Sequence, residues 1–475
     1  MLENLLNTIA AEKEHHPLLM LAPFLLPALF FILLQIKSSV KRDLSRIAKG
    51  IHINEKKLSA VYLQKKMKKI KSAASDNGTV FGVSLQTAEP VVLHDHDANL
   101  HTLAIGTTGS GKTTALANFV ESSIIRRWPL FYVDGKGDLA FAKSIEAFAK
   151  SHNTPFYLFS MVGESVKYNP ISFGGFTSKK DRIIELREWS EDHYRKLAEG
   201  YLQTVFKILE RANINVNLCT LSRYLELPAL YQLARELKDP ALKFEIDSLE
   251  NKRKDIESLI AEIQNIANSE IGHLFDCNDD NVLTLEKALH ENAVVYFCLQ
   301  PLAFPAYAST LGKLIINDLK SLIASQLKNQ IKKNIFTIFD EFSVFAGDQI
   351  INLINQGRGA GVHAILATQS LSDIERKGEK GLLGQVLNNT NNYIIQRQNY
   401  PDDAEILASI IGTTNQFTIT SQIAPKGSTG AGSIRETKEF IIHPDKIKRL
   451  DRGEAIFVNK QGFAVHEIIV RKGFL

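Results

Sequence analysis

The sequence predicts an α/β fold in which a parallel sheet is interrupted by an all-α insertion domain and preceded by an N-terminal transmembrane helix. Three observations support this prediction. Short apolar strands alternate with glycine-containing loops and helical stretches on both sides of a long segment without strand-like runs. That segment, residues 177–290, repeats its apolar residues at spacings of three and four. Residues 17–36 form an uncharged apolar run.

The apolar run at residues 17–36 has about the length needed to cross the roughly 30 Å hydrocarbon core of a bilayer. Pro23 and Pro27 would be costly inside a soluble helix but are tolerated in membranes. A signal peptide fits less well, because residues 1–16 carry three acids against one lysine and no small-residue cleavage site follows. A buried core helix is the other alternative. We therefore predict a single-pass membrane anchor.

A strongly basic segment follows the predicted anchor. Residues 37–71 contain twelve Lys or Arg and two acids, in a chain whose formal net charge is only +4. The positive-inside rule places this segment, and the domains after it, in the cytoplasm. We expect it to flank the membrane and to contact anionic lipid headgroups. A contact with nucleic acid is the alternative interpretation.

Changes in composition and in the spacing of apolar residues predict where the parts of the chain begin and end. The predicted parts are a tail (1–16), the anchor (17–36), a basic linker (37–73), the first part of the α/β domain (74–176), the all-α insertion (177–290) and the second part of the α/β domain (291–475).

Two other features of the composition are informative. Residues 421–435 are rich in Gly, Ser and Thr, which predicts a mobile loop. The three cysteines are widely spaced and indicate neither a disulfide framework nor a zinc site.

A phosphate-binding loop is predicted at residues 106–113, which match the pattern G-x-x-x-x-G-K-[ST] at every fixed position. A strand-like run precedes the loop and a helical pattern follows it, as the motif requires. Lys112 is expected to reach the β- and γ-phosphates of ATP, and the Thr113 hydroxyl to bind Mg²⁺. The predicted nucleotide-binding residues are Gly106, Thr107, Thr108, Gly109, Ser110, Gly111, Lys112, Thr113 and Thr114.

Two acids follow the apolar strand 335–339, and they are the expected partners of the phosphate-binding loop. Asp340 is predicted to hold Mg²⁺ through water, and Glu341 to polarise the attacking water. Acids often end strands, so this pair indicates a nucleotide site only in combination with the phosphate-binding loop at 106–113.

Three further positions are candidates, each with a simpler alternative. Gln369 ends the strand 363–368 and could sense the γ-phosphate, or be a surface glutamine. Arg358 lies between glycines and could reach a neighbouring subunit's ATP as an arginine finger, or be a solvated loop residue. The segment DGKGD at 134–138 puts charged groups at the carboxyl edge of the sheet, where ligands bind, or forms a charged turn.

In this order, these motifs resemble the TraD/TraG-type coupling ATPases of conjugation and type IV secretion. The resemblance covers roughly residues 75–475, and FtsK- and HerA-type pumps match the insertion and residues 357–370 less well. The matching segments are GTTGSGKTT (106–114), DGKGD (134–138), YNPI (168–171), VVYFCLQP (294–301), FDEF (339–342) and GRGAGVHAILATQS (357–370).

The resemblance implies a RecA-like core that assembles as a homo-hexamer on the bacterial inner membrane. ATP hydrolysis would drive DNA, or a relaxase–DNA complex, toward a type IV secretion channel. In that family pattern Lys112, Glu341, Arg358 and Gln369 are catalytic. The sequence has no recognisable base-reading motif, so DNA binding should be largely independent of sequence. The alternatives are an FtsK/HerA-like pump without a secretion partner, or a receptor switched by nucleotide, which would not need Glu341.

Overall fold

The computed structural model describes residues 58–277, 282–375, 381–424 and 427–475. The predicted tail, the anchor at 17–36 and the part of the basic linker before residue 58 lie outside the described residues. Among the residues that are described, none of the helices is both long and apolar enough to span a bilayer.

A mixed twelve-stranded sheet forms the body of the described chain, in the order β1-β2-β16-β15-β12-β4-β11-β10-β5-β9-β6, with β3 paired to β2. The strands from β12 to β6 pair in parallel, whereas β15, β16 and β1–β3 pair antiparallel. Its strands are β1 (Ala74–Ser75), β2 (Gly78–Ser84), β3 (Pro90–His94), β4 (Thr102–Ile105), β5 (Leu130–Asp134), β6 (Phe156–Ser160), β9 (Val294–Cys298), β10 (Ile335–Asp340), β11 (Val362–Thr368), β12 (Asn392–Ile395), β15 (Glu454–Asn459) and β16 (Ala464–Val470).

Helices cover the sheet, as expected for parallel strands joined by crossovers. Every residue of β5, β9, β10 and β11 is buried, which explains their mostly apolar sequences. The predicted α/β class is confirmed. The helices outside residues 177–290 are α1 (Ala60–Met67), α2 (Asp95–Ala98), α3 (Lys112–Arg126), α4 (Leu139–Ser151), α12 (Pro305–Lys328), α13 (Asp348–Gly357), α14 (Ser372–Glu375), α15 (Leu382–Asn389), α16 (Pro401–Ile411) and α17 (Pro444–Lys448), together with the single helical turns Phe342–Val344 and Arg358–Ala360.

The segment predicted as an all-α insertion is entered and left through two short strands that pair with each other. These are β7 (Lys167–Tyr168) and β8 (Val282–Leu283), which are parallel. Apolar residues at helical spacing form the buried faces between them. The helices between these strands are α5 (Phe176–Ile184), α6 (Asp192–Arg211), α7 (Leu218–Tyr224), α8 (Leu227–Leu237), α9 (Pro240–Glu250) and α10 (Glu257–Ala267), with turns at Lys254–Ile256 and Gly272–Phe275, and α11 (Leu285–His290) follows β8.

The loop predicted at residues 421–435 is wrong, because two long strands pair there. They are β13 (Thr413–Ala424) and β14 (Gly427–Phe440). Gly and Ser suggested a loop, whereas the alternating Thr, Phe and Ile of TTNQFTITSQIA are typical of strands. Residues Thr413–Glu439 belong to a different compact unit from Leu58–Gly412 and Phe440–Leu475.

Candidate nucleotide-binding site

The predicted site residues other than Arg358 lie where four neighbouring parallel strands end. In spatial order these strands are β4, β11, β10 and β5. The glycine loop follows β4, Gln369 follows β11, Asp340 ends β10 and Asp134 ends β5. Because the carboxyl ends of parallel strands share one edge, motifs more than 200 positions apart in sequence meet there.

The loop between β4 and α3 has the backbone that a phosphate cradle requires. Gly109 and Gly111 adopt φ angles of 79° and 110°, in the left-handed region that favours glycine. A Cβ on Gly106 would lie 2.5 Å from the Ser110 hydroxyl oxygen and 2.9 Å from the Gln396 Cβ, so a larger residue would force these side chains to move. Gly111 is also the residue before helix α3, whose free N–H groups and dipole favour an anion. These residues fit a nucleotide's phosphates.

Lys112 and Glu341 are in direct contact. The Lys112 Nζ donates a hydrogen bond of 2.7 Å to Glu341 Oε1 and lies 3.9 Å from Asp340 Oδ1. Glu341 adopts a φ angle of 50°, unusual for a residue other than glycine and costing about 1–3 kcal/mol. Such strain often occurs at functional sites. Here it turns the side chain after β10 toward the phosphate-binding loop.

Gln369 links the loop to Glu341. Its Nε2 donates to Glu341 Oε1 at 3.0 Å, and its Oε1 accepts from the Thr108 hydroxyl at 2.9 Å. A single amide therefore contacts both the phosphate-binding loop and the acid predicted to act on water. The end of β11, between β4 and β10, is the position from which a side chain can do both.

Asp340 is almost fully buried, and its charge is therefore costly. Burial, together with the nearby carboxylates of Asp134 and Glu341, raises the pKa of Asp340 to about 6 against the opposing effect of Lys112. Tyr132 donates a hydrogen bond to Asp340 Oδ2 at 3.1 Å. Sequence reasoning missed Tyr132, although its place two residues before Asp134 on β5 puts both side chains on one face of the sheet.

The segment DGKGD is organised around its first residue. Asp134 accepts hydrogen bonds from the Lys136 and Asp138 N–H groups at 2.7 and 2.6 Å, and from the Tyr296 hydroxyl at 2.8 Å. Burial raises the pKa of Asp134, and these hydrogen bonds oppose the shift. The rings of Tyr296 and Tyr132 stack with centroids 4.7 Å apart. Asp134 thus shapes the loop beside Asp340.

The opposite side of the phosphate-binding loop is held by residues that the sequence did not single out. The Ser110 hydroxyl donates to Gln396 Oε1 at 3.2 Å, and the Thr107 N–H donates to the Arg397 carbonyl at 3.1 Å. The Gly453 N–H donates to the Ser110 carbonyl at 3.1 Å. The loop is therefore fixed from both neighbouring strands, β12 and β11. In the sequence these residues form no motif.

Two of the remaining predicted residues, Thr113 and Thr114, are partly buried in the first turn of α3, next to Lys112. Arg358 is exposed in the turn that precedes β11, at the amino-terminal edge of the sheet. It therefore lies at the edge opposite Lys112, and the structure does not bring it to the site of its own chain.

Comparisons with known proteins find similarity to coupling proteins. Residues 334–452 match the family described as the TraM recognition site of TraD and TraG. The type 4 coupling protein DotL of Legionella pneumophila (subsp. pneumophila, strain Philadelphia 1) is 21% identical over 433 residues, which are 76% of this chain and 55% of DotL. The chain thus matches about half of DotL's length.

Solved structures share the fold. The unbound bacterial conjugative coupling protein TrwBdeltaN70 superposes with a TM-score of 0.58 at 13% identity, covering 87% of this chain and 91% of TrwB. TrwB in complex with ADP and Mg²⁺ gives 0.55 at 13% identity, with 87% and 92% covered. VirB4 of Thermoanaerobacter pseudethanolicus gives 0.54 at 12% identity, with 84% and 98% covered. The predicted resemblance to TraD/TraG-type coupling ATPases is confirmed.

Proposed function

We propose that this chain is an ATPase that couples ATP hydrolysis to the translocation of DNA, or of a protein–DNA complex, toward a type IV secretion or conjugation channel. The observation that carries the proposal is the contact of Lys112, Glu341 and Gln369 at the ends of three neighbouring strands. Nucleotide hydrolysis needs a phosphate-binding loop, a cation that contacts the phosphates and an acid that acts on water. Here the cation is Lys112 and the acid is Glu341, which Gln369 links to the loop.

In this proposal the loop amides and Lys112 bind the β- and γ-phosphates. Thr113 and Asp340 would hold Mg²⁺, Asp340 through water, and the ion when bound would supply positive charge that stabilises the transferring phosphoryl group. Glu341 accepts a proton from the attacking water, and Gln369 orients Glu341 through the hydrogen bond to Oε1. Tyr132 holds Asp340 from the buried side.

We further propose a homo-hexameric assembly on the bacterial inner membrane, with the described domains in the cytoplasm. The apolar run at 17–36 and the basic residues after it support the membrane location. The position of Arg358, at the edge opposite its own loop, suits a contact with a neighbouring subunit's ATP. Relaxase–DNA complexes and channel components are the expected partners, and DNA contacts should be largely independent of sequence.

The hydrolysis proposal is tested with two variants of the full-length protein. Lys112→Ala is expected to abolish turnover, because the phosphates lose their main cationic partner. Glu341→Gln should bind ATP with near-normal affinity but turn over about 10²–10⁴-fold more slowly, since general-base action is removed. Normal turnover in Glu341→Gln would show that another group acts on the water, whereas ATP binding without turnover in the unaltered protein would favour the nucleotide-switch alternative.

The ring proposal is tested by mixing variants. Arg358→Ala should bind ATP yet hydrolyse it about 10³-fold more slowly, as expected for an arginine finger. Co-assembly with Lys112→Ala should restore part of the turnover, because one interface then joins an intact loop to an intact arginine. Mixed rings that stay inactive would exclude action of Arg358 in trans. Substrate transfer through the secretion channel, measured in cells with each variant, separates a coupling protein from an FtsK/HerA-like pump.

A further inference from the structure

The first described helix, α1, buries one face and leaves the other open. Leu63 is 3% exposed and packs in a small core with Val83, Leu85 and Ala88. Val61 is 78% exposed, although a valine on a folded protein is usually covered. Tyr62 beside it is also exposed. The helix thus fixes one side to the body and presents apolar and aromatic surface on the other.

The open face of α1 is also strongly basic. Residues 58–75 contain five lysines and no acid. Lys65 lies one helical turn after Val61 and therefore on the same face. Within the part of the chain that the structure describes, no carboxylate lies within ion-pair distance of Lys65, Lys68 or Lys69. Lys66, nearer the body, instead pairs with Glu89 at 3.4 Å.

The segment after α1 is clamped to the nucleotide-binding helix. Arg471 makes a bidentate ion pair with Glu121, with distances of 2.7 and 2.8 Å, and both side chains are buried. Glu121 also accepts from the Ala73 N–H at 3.0 Å, and Arg471 donates to the Lys71 carbonyl at 3.2 Å. Glu121 belongs to α3, the helix that begins at Lys112. The orientation of α1 is thereby fixed relative to the nucleotide site.

We propose that Val61, Tyr62, Lys65, Lys68 and Lys69 form a surface that docks on an anionic lipid bilayer. Lysines whose stems lie beside exposed apolar and aromatic groups are typical of helices that rest at a membrane interface. A phosphate backbone would attract the lysines but gives Val61 no apolar partner. The uncharged run at 17–36 leads into the same basic segment, so the surface would lie close to the membrane.

Docking of α1 on the bilayer would also orient the nucleotide site, because the contacts of Arg471 and Glu121 join the segment after α1 to α3. A helix that rests on the lipid surface and is fixed to α3 sets the direction in which the nucleotide edge of the sheet faces relative to the membrane. The surface would therefore orient each subunit, in addition to any anchor. This inference uses the proposed membrane location but concerns a separate contact.

The test measures lysine acetylation in the full-length protein reconstituted in nanodiscs of neutral lipid or of neutral lipid with anionic phosphatidylglycerol. Lys65, Lys68 and Lys69 should be acetylated about fivefold more slowly in anionic nanodiscs, from the attraction that each lysine gains near an anionic surface. Lys243, exposed on α9, is the internal control and should react equally in both. Equal rates for the three lysines in both lipids would overturn the proposal.

A second arm separates lipid from DNA. Duplex DNA added to neutral nanodiscs should leave the three lysines reactive, and protection by DNA instead of by anionic lipid would overturn the proposal. The variant Val61→Asp should lose lipid protection while keeping ATP turnover in detergent. A full-length protein that does not enter nanodiscs would contradict the proposed membrane location. Sedimentation with neutral and anionic vesicles would then test the surface by itself.

Discussion

Two buried carboxylates in this protein have similar surroundings and different roles. Asp340, at the nucleotide edge, lies near Lys112 and accepts a hydrogen bond from Tyr132 at 3.1 Å. Asp318, in the middle of α12, lies 3.2 Å from Arg182 and accepts from Tyr168 at 2.7 Å. Burial raises the pKa of Asp340 to about 6 and that of Asp318 to about 7.

The difference lies in what surrounds the cation. The Arg182 guanidinium is enclosed, and its other N–H groups donate to the Pro170 and Phe173 carbonyls and to the Ser321 hydroxyl, at 2.6 to 2.9 Å. Lys112 contacts two carboxylates beside a glycine loop. The Arg182 cluster joins the base of the insertion to α12 and is enclosed by protein, whereas the Lys112 cluster lies beside a glycine loop that can receive an anion.

A carboxyl group with a raised pKa therefore does not by itself identify a functional site. Both carboxylates have a raised pKa, a cation and a tyrosine donor. Only Asp340 lies at the carboxyl edge of the sheet beside positive-φ glycines. The distinction between the two clusters can be tested by substitutions in each of them.

The largest expected effect is on stability. Arg182→Met should lower the free energy of unfolding by about 3–5 kcal/mol, because Asp318 then remains buried without its cation and the Pro170 and Phe173 carbonyls lose their donor. Asp340→Asn should change it little or raise it at pH 8, since an acid whose charge is disfavoured by burial has been removed. Urea denaturation of both variants, with turnover measured in parallel, checks this. A greater loss of stability in Asp340→Asn would reverse the two assignments.

Replacing each pair by apolar residues sharpens the contrast. Arg182→Met with Asp318→Leu should be neutral or stabilising by about 1–4 kcal/mol, as for other buried ion pairs exchanged for packed side chains. Turnover should be retained. The matched control, Lys112→Met with Glu341→Leu, should remain folded and inactive. Loss of turnover in the first double variant would mean that the Arg182 cluster also takes part in the reaction.

These two clusters also show what the sequence could predict. The glycine loop and Asp340–Glu341 were predictable because each is a local motif with a chemical reason for its spacing. The place of Gln369 beside the loop followed from its position at a strand end. Arg182 and Asp318 are 136 positions apart and belong to no motif, so only the fold brings them together.

Tyr132, Gln396 and Gly453 were missed for the same reason, since their partners lie on other strands. The paired strands Thr413–Ala424 and Gly427–Phe440 were missed because their Gly and Ser content outweighed the alternation of Phe417, Ile419 and Ile423 with polar residues. Conversely, the α/β class was predictable because mostly apolar strands are a direct consequence of burial on both faces of a parallel sheet.

A smaller effect is expected from pH. Asp340 must be ionised to hold Mg²⁺, and its pKa of about 6 lies above the usual 3.8. Affinity for the Mg²⁺–ATP complex should therefore fall about tenfold from pH 7 to pH 5, with little change above pH 7. Asp340→Asn should bind more weakly and lose this dependence, whereas Asp318→Asn should keep it. Titrations with a fluorescent ATP analogue measure both. A pH-independent affinity in the unaltered protein would show that Asp340 does not contribute.

The smallest effect concerns the two tyrosine hydroxyls, and it isolates the hydrogen bond from the charge. Tyr132→Phe removes the donor that stabilises ionised Asp340, a contribution of about 1–2 kcal/mol. The pKa of Asp340 should then rise further, and the pH at which Mg²⁺–ATP binding weakens should rise with it. Tyr168→Phe removes the equivalent donor from Asp318 and should lower stability without moving that pH. If both variants shift the binding profile equally, the two clusters are coupled through the sheet and the insertion, and the separation argued from their surroundings is wrong.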